Sequence, residues 1–94
     1  MRRWKHSQLS VGQRVIIPPT LLATSETKNL LFTEYIGETE HGLLLELHFK
    51  EGMLSNDHGS WKYRRFIDWN SIYSGQVMLR NSSGELIRAE KAVI

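Results

Sequence analysis

Residues 61–74 read Trp-Lys-Tyr-Arg-Arg-Phe-Ile-Asp-Trp-Asn-Ser-Ile-Tyr-Ser, and they hold five of the nine aromatic residues and three of the twelve Lys and Arg of this 94-residue chain. Rings that stack on bases and cations that track phosphates hold single-stranded nucleic acid, each stacked base contributing about 1–3 kcal/mol. Trp61, Lys62, Tyr63, Arg64 and Arg65 supply both kinds of group, and Arg2, Arg3 and Trp4 could add to them. Alternation along a strand decides the outcome. If Trp61 and Tyr63 face outward they form a platform with the flanking cations; if they face inward, only Lys62 and Arg64 are left exposed. Phe66, Trp69 and Ile72 are expected in the core, because a domain this small needs bulky filler.

Other chemistry is sparse. Asp68, in Phe-Ile-Asp-Trp, is the only acid embedded among apolar residues. Its expected job is to cap a helix by accepting from the N–H of Asn70 or Ser71, or to pair with Arg64 or Arg65. His41, His48, His58 and Glu46 are the candidate metal set, but they lack the HExxH or Cys/His spacing of a metal site. Solvated loop histidines and a cross-strand Glu34–His48 pair account for them, so neither a metal nor a cofactor is expected. Serine-nucleophile, phosphate-loop and dinucleotide signatures are absent, and with no cysteine there is no thiolate to react or to bind zinc. No catalytic residues emerge, and the chain is expected to be a non-enzymatic binding module.

The second chemistry available is apolar contact. Phe32 and Ile36 on the outer face of a hairpin, with Met78, would form a patch for a partner protein or a second copy of the chain. This protein-interaction or assembly reading stands slightly ahead of the nucleic-acid one. The two differ in salt response: nucleic-acid binding weakens steeply as salt rises, whereas apolar contact holds.

The elements that must position these groups follow from pattern. Charge is uneven around a net +2: residues 1–14 carry +4, residues 26–57 carry −5 and residues 62–94 carry +3. If the basic ends meet they make a basic face opposite an acidic one; otherwise the surface is simply mixed. No apolar run reaches the roughly 18 residues needed to cross a bilayer, and no apolar segment of a secretory signal follows the basic start. A soluble, cytoplasmic protein without a membrane partner is the expectation.

Residues 1–8 show no periodicity and read as a mobile basic arm, in which the Trp4 indole either plugs an open barrel end, the preferred reading, or reaches a partner on which the arm orders. Residues 9–17 form a short strand closed by Pro18-Pro19, with Val15 and Ile17 on one face. Residues 20–29 read as loop with a helical turn. Residues 30–50 give the strongest signal, a hairpin turning on Glu40-His41-Gly42 with Gly42 left-handed. That register sets Thr33 opposite Phe49, Tyr35 opposite Leu47 and Gly37 opposite Leu45, and buries Leu43, Leu45, Leu47 and Phe49. It sets Phe32 opposite Lys50, Glu34 opposite His48 and Ile36 opposite Glu46 on the other face. Residues 51–60 are loop, with Met53 and Leu54 tucked beneath. Residues 61–65 are strand, and a short helix runs from Phe66 to a stop at Gly75. A second hairpin turns on Ser82-Ser83-Gly84, pairing Leu79 with Ile87 and Arg80 with Leu86. Val93 and Ile94 finish a last strand or turn.

The Val-Gly-x-Arg-Val run at residues 11–15, followed by short antiparallel strands, resembles the small SH3-like barrels, including the Tudor-type and KOW-type variants. The resemblance implies a binding module and leaves the ligand open. The expected architecture is all-β: a basic arm over residues 1–8, then one SH3-like, partly open barrel of about five strands over residues 9–94, with one short helix.

Overall fold

The computed structural model describes residues 4–50 and 61–92; the expectations placed on Arg2, Arg3, Met53, Leu54, His58, Val93 and Ile94 lie outside them. In chain order the elements are β1 (Trp4–His6), β2 (Val15–Ile16), a 3-10 turn (Pro19–Leu21), α1 (Thr24–Asn29), β3 (Leu30–Thr39), β4 (Gly42–Phe49), β5 (Trp61–Asp68), α2 (Trp69–Tyr73), β6 (Arg80–Asn81) and β7 (Ala89–Lys91). The chain is mostly β, with antiparallel sheets, and among the described residues they do not close into a barrel.

The central sheet has the order β3-β4-β5. Its turn differs from expectation. Thr39 pairs with Gly42, so the loop is the two residues Glu40-His41, and Gly42 is not left-handed. Thr39 Oγ1 accepts from the His41 N–H at 3.1 Å. Gly42 is required for another reason: a Cβ there would meet the Ile67 carbonyl oxygen and come within 2.7 Å of both Asp68 Cα and Phe66 Cζ. Close approach of β5 demands this glycine.

The register also departs from expectation, by one residue beside the turn and by two from Phe32 to Tyr35. A bulge at Ile36 follows Gly37↔Leu44, so Tyr35 pairs with Leu45, Thr33 with Leu47 and Phe32 with His48; a second irregularity at Leu31 brings Leu30 to Phe49. The short turn and the Ile36 bulge each slip the pairing by one residue. Two slips restore the parity of a strand whose side chains alternate, so the core face is unchanged. Leu43, Leu45, Leu47 and Phe49 are fully buried, and Thr33 and Tyr35 join them.

Residues 12–16 continue the sheet beyond β3. Gly12 N–H donates to the Tyr35 carbonyl, Tyr35 N–H donates to that of Gln13, both at 2.8 Å, and Arg14 bridges to Glu34. β2 then pairs with β6 (Ile16↔Arg80). As expected, Val15 is buried and Ile16 exposed. The second hairpin forms as read: Gly84 has φ 85°, Asn81 N–H donates to the Glu85 carbonyl, Ile87 N–H to that of Leu79, and Arg80 bridges to Leu86. Its return arm leads into β7, which pairs with β1.

That pairing corrects the expectation of a mobile arm at residues 4–6. Trp4 pairs with Lys91 and His6 with Ala89. The sequence lacks periodicity there because three residues are too few to show it. Side chains anchor the strand: Trp4 meets Tyr73 edge-to-face at 5.7 Å, and the His6 ring stacks on Trp69 at 4.4 Å.

The helix after β5 starts later than expected, because the strand runs on through Phe66 to Asp68. Phe66, expected in the core, is 47% exposed. It alternates with the buried Ile67, so strand geometry turns it outward. Trp69 and Ile72 are buried as expected. Asp68 caps α2, accepting from the Ser71 N–H at 3.0 Å and the Ser71 hydroxyl at 2.7 Å, and Gly75 at φ 81° follows the helix. The Ser71 hydrogen bonds hold the Asp68 carboxyl below its ordinary value. A folded-state value below the unfolded one stabilises the fold above the usual carboxylate range, and that stabilisation disappears as pH falls through the folded-state value. Asp68→Ala should therefore cost about 1 kcal/mol near neutral pH, and its deficit should shrink in acid, as pH falls through the folded-state value and the wild-type carboxyl protonates as well. Urea denaturation at neutral and at acid pH measures this; an equal deficit at both would contradict it.

Candidate functional site: the outer face of the central sheet

The face opposite the leucines carries three rows across β3, β4 and β5. At one end Phe32, His48 and Lys62 lie side by side, in the middle Glu34, Glu46 and Arg64, and at the other end Leu44 and Phe66, with Gly37 in the β3 position. Ile36 sits half-buried in the bulge.

The middle row sets two carboxylates directly across from each other, an arrangement that destabilises a sheet unless cations compensate. His48 Nε2 is 2.8 Å from Glu34 Oε1 and 3.2 Å from Glu46 Oε1. Lys62 Nζ lies 3.5 Å from Glu46 Oε1, and Arg64 Nε lies 3.5 Å from Glu46 Oε2. Burial opposes the charge on Glu46, but Lys62, Arg64 and His48 outweigh it and hold the carboxyl below its ordinary value. The His48 ring stacks on Phe32 at 4.2 Å, and the Arg14 guanidinium sits 3.5 Å from the centre of the Phe32 ring.

This geometry corrects the expected apolar patch. Phe32 is half-buried under Arg14 and His48 instead of being open to a partner. Met78 belongs to a separate groove, which it lines with Ile72, Tyr73, Val77, Leu86 and Ile87. The exposed ring on this face is Phe66, which sequence reasoning assigned to the core.

The basic and aromatic stretch divides between the two faces of β5. Lys62 and Arg64 point out, their side chains 61% and 70% exposed. Tyr63 pairs with Leu47, stacks on Phe49 at 5.5 Å and donates its hydroxyl proton to Glu26 Oε2 at 3.0 Å, tying α1 to β5. Burial, and then the Glu26 carboxylate, push the Tyr63 phenol above its ordinary value. Trp61 stands at the register position across from Phe49, and the half-buried Arg65 across from Leu45. Trp4 is remote from them in the strand order; in β1 its ring shares the Lys91 ammonium with Tyr73, at 6.0 and 5.7 Å.

Sequence reasoning missed Glu34 as a partner of Glu46, and it missed Arg14 and Phe66. A bulge at Ile36 leaves no mark on composition or periodicity, so the Glu34–Glu46 juxtaposition could not be read directly. Phe66 could have been found by extending the Lys62, Arg64 alternation by one more step. Among the described residues no helix is long and apolar enough to cross a membrane. No protein family, curated protein or solved structure matches the chain.

Proposed function

We propose that this chain is a non-enzymatic, cytoplasmic protein-interaction module or assembly subunit, and that its partner sits on the outer face of the central sheet along β5. The strand succession supports an SH3-like, partly open barrel: β5, β4 and β3, then residues 12–16, β6, the second hairpin, β7 and β1 follow one another around the leucine core. The observation that carries the reading is the exposed row of Lys62, Arg64 and Phe66, with Tyr63 turned inward onto Phe49. Base stacking calls for outward rings in series. An apolar ring flanked by cations suits a protein surface that offers an apolar pocket rimmed by acids.

The test is recovery of bound molecules from native cytoplasm at low and at high salt, with protein and nucleic acid both identified. Sedimentation of the purified chain reports a second copy as partner. Expected is a protein, or a dimer, retained at high salt and lost in Phe66→Ser. Nucleic acid recovered alone, released by salt and lost in Lys62→Glu/Arg64→Glu, would overturn the reading in favour of single-stranded nucleic-acid binding.

A further inference from the structure

We propose that Glu34, Glu46 and His48 bind a divalent metal ion of the zinc class on the outer face of the sheet. This goes beyond the partner-binding reading and does not depend on it. One candidate ligand atom from each residue lies within 4.8 Å of the others. The three side chains project from adjacent paired strands, β3 and β4, a rigid base for ligands.

Two features call for a shared cation. The carboxylates of Glu34 and Glu46 face each other across the ladder, and Lys62 and Arg64 compensate the Glu46 side of the pair, while Glu34 relies on His48. His48 Nε2 approaches both, at 2.8 and 3.2 Å, yet one ring nitrogen carries at most one proton and so cannot donate fully to two oxygens. A metal ion accepts the nitrogen lone pair and both carboxylates at once. Zinc sits about 2.0–2.2 Å from nitrogen and oxygen ligands, which places tetrahedral ligand atoms roughly 3.4 Å apart. The present separations therefore need only small side-chain rotations.

Neighbouring side chains fit supporting roles. Stacking on Phe32 fixes the plane of the His48 ring. Arg64 engages Glu46 Oε2 and leaves Oε1 for the ion, an outer contact of the kind that orients a ligating carboxylate. Lys62 competes: its ammonium lies 3.5 Å from Oε1, on a side chain exposed and long enough to swing away. An imidazole with two carboxylates, and water in the remaining positions, suits zinc, with manganese and cobalt accommodated less selectively.

The competition gives a test that separates a metal site from a network of ion pairs. Zinc is titrated calorimetrically into the tag-free full chain after chelator treatment, with circular dichroism confirming that each variant folds without metal. Expected are one zinc ion per chain, binding at least about tenfold weaker in His48→Gln and in Glu34→Gln, tighter binding in Lys62→Met, and no change in His41→Gln. Absence of saturable binding by the wild-type chain at about 100 μM zinc, well above any useful dissociation constant for such a site, would overturn the proposal whether or not the variants fold. Undiminished affinity in both His48→Gln and Glu34→Gln would overturn it as well, because the ion would then sit elsewhere.

Discussion

Trp69→Ala should remove about 3–5 kcal/mol of stability, the usual cost of deleting a buried large aromatic side chain. A domain of this size commonly has only about 5–15 kcal/mol to lose, so the variant is expected to be largely destabilised at moderate urea. The reason is the number of elements meeting at this one residue. The indole is 2% exposed and donates its N–H to the Thr39 carbonyl at 3.2 Å, while the backbone N–H donates to the His41 carbonyl at 2.9 Å. Both bonds pin the β3-β4 turn to the start of α2. A further contact is the His6 ring, stacked on Trp69 with planes 9° apart, which holds β1 against the start of α2. The His6 Nε2 also lies against the Glu38 carboxylate. Trp69→Phe keeps an aromatic surface for His6 but leaves the Thr39 carbonyl without the indole donor, so its cost should be intermediate. Urea denaturation with fluorescence and circular dichroism orders the three proteins. A Trp69→Ala midpoint equal to the wild type would show that the turn and β1 do not depend on this side chain.

Gly42→Ala should lower stability by about 1–3 kcal/mol through overpacking, although the substitution adds a single methyl group. The obstruction is backbone, the Ile67 carbonyl and Asp68 Cα, together with the Phe66 ring edge. A side chain could turn aside; the β5 backbone can move only by disturbing its pairing with β4. Gly37, five residues earlier in the same hairpin, is the control. It is not left-handed, and a Cβ there would meet nothing within 4 Å. Gly37→Ala should therefore be neutral, or stabilise by about 0.4–1 kcal/mol by restricting the unfolded chain. Thermal denaturation of both variants decides the matter: equal effects at the two glycines would rule out close approach as the reason for Gly42. The comparison also reports on the outer face, because displacing the end of β5 would move Phe66 and weaken the proposed partner contact.

Much of the fold was legible in residue order. Alternation identified the buried face of both hairpins, Gly84 marked the second turn, and Gly75 marked the end of α2, whose start was read three residues early, at Phe66. These signals are local, each depending on the conformations that a few neighbouring residues permit. The leucine face survived a two-residue error in register because a strand repeats its facing every two residues.

Contacts between distant segments were decided only by the tertiary structure. Whether Tyr63 faces inward depends on β5 pairing with β4, and that Trp4 and His6 form a strand depends on β7, more than eighty residues away. Glu34 meets Glu46 because the turn has two residues and Ile36 bulges, and both outcomes balance local backbone preference against the packing of Trp69 on the turn and of β5 on Gly42. No window of sequence contains both sides of that balance. The leucine core could therefore be read from the chain alone, apart from the outward turn of Phe66, while the arrangement of charges on the outer face could not.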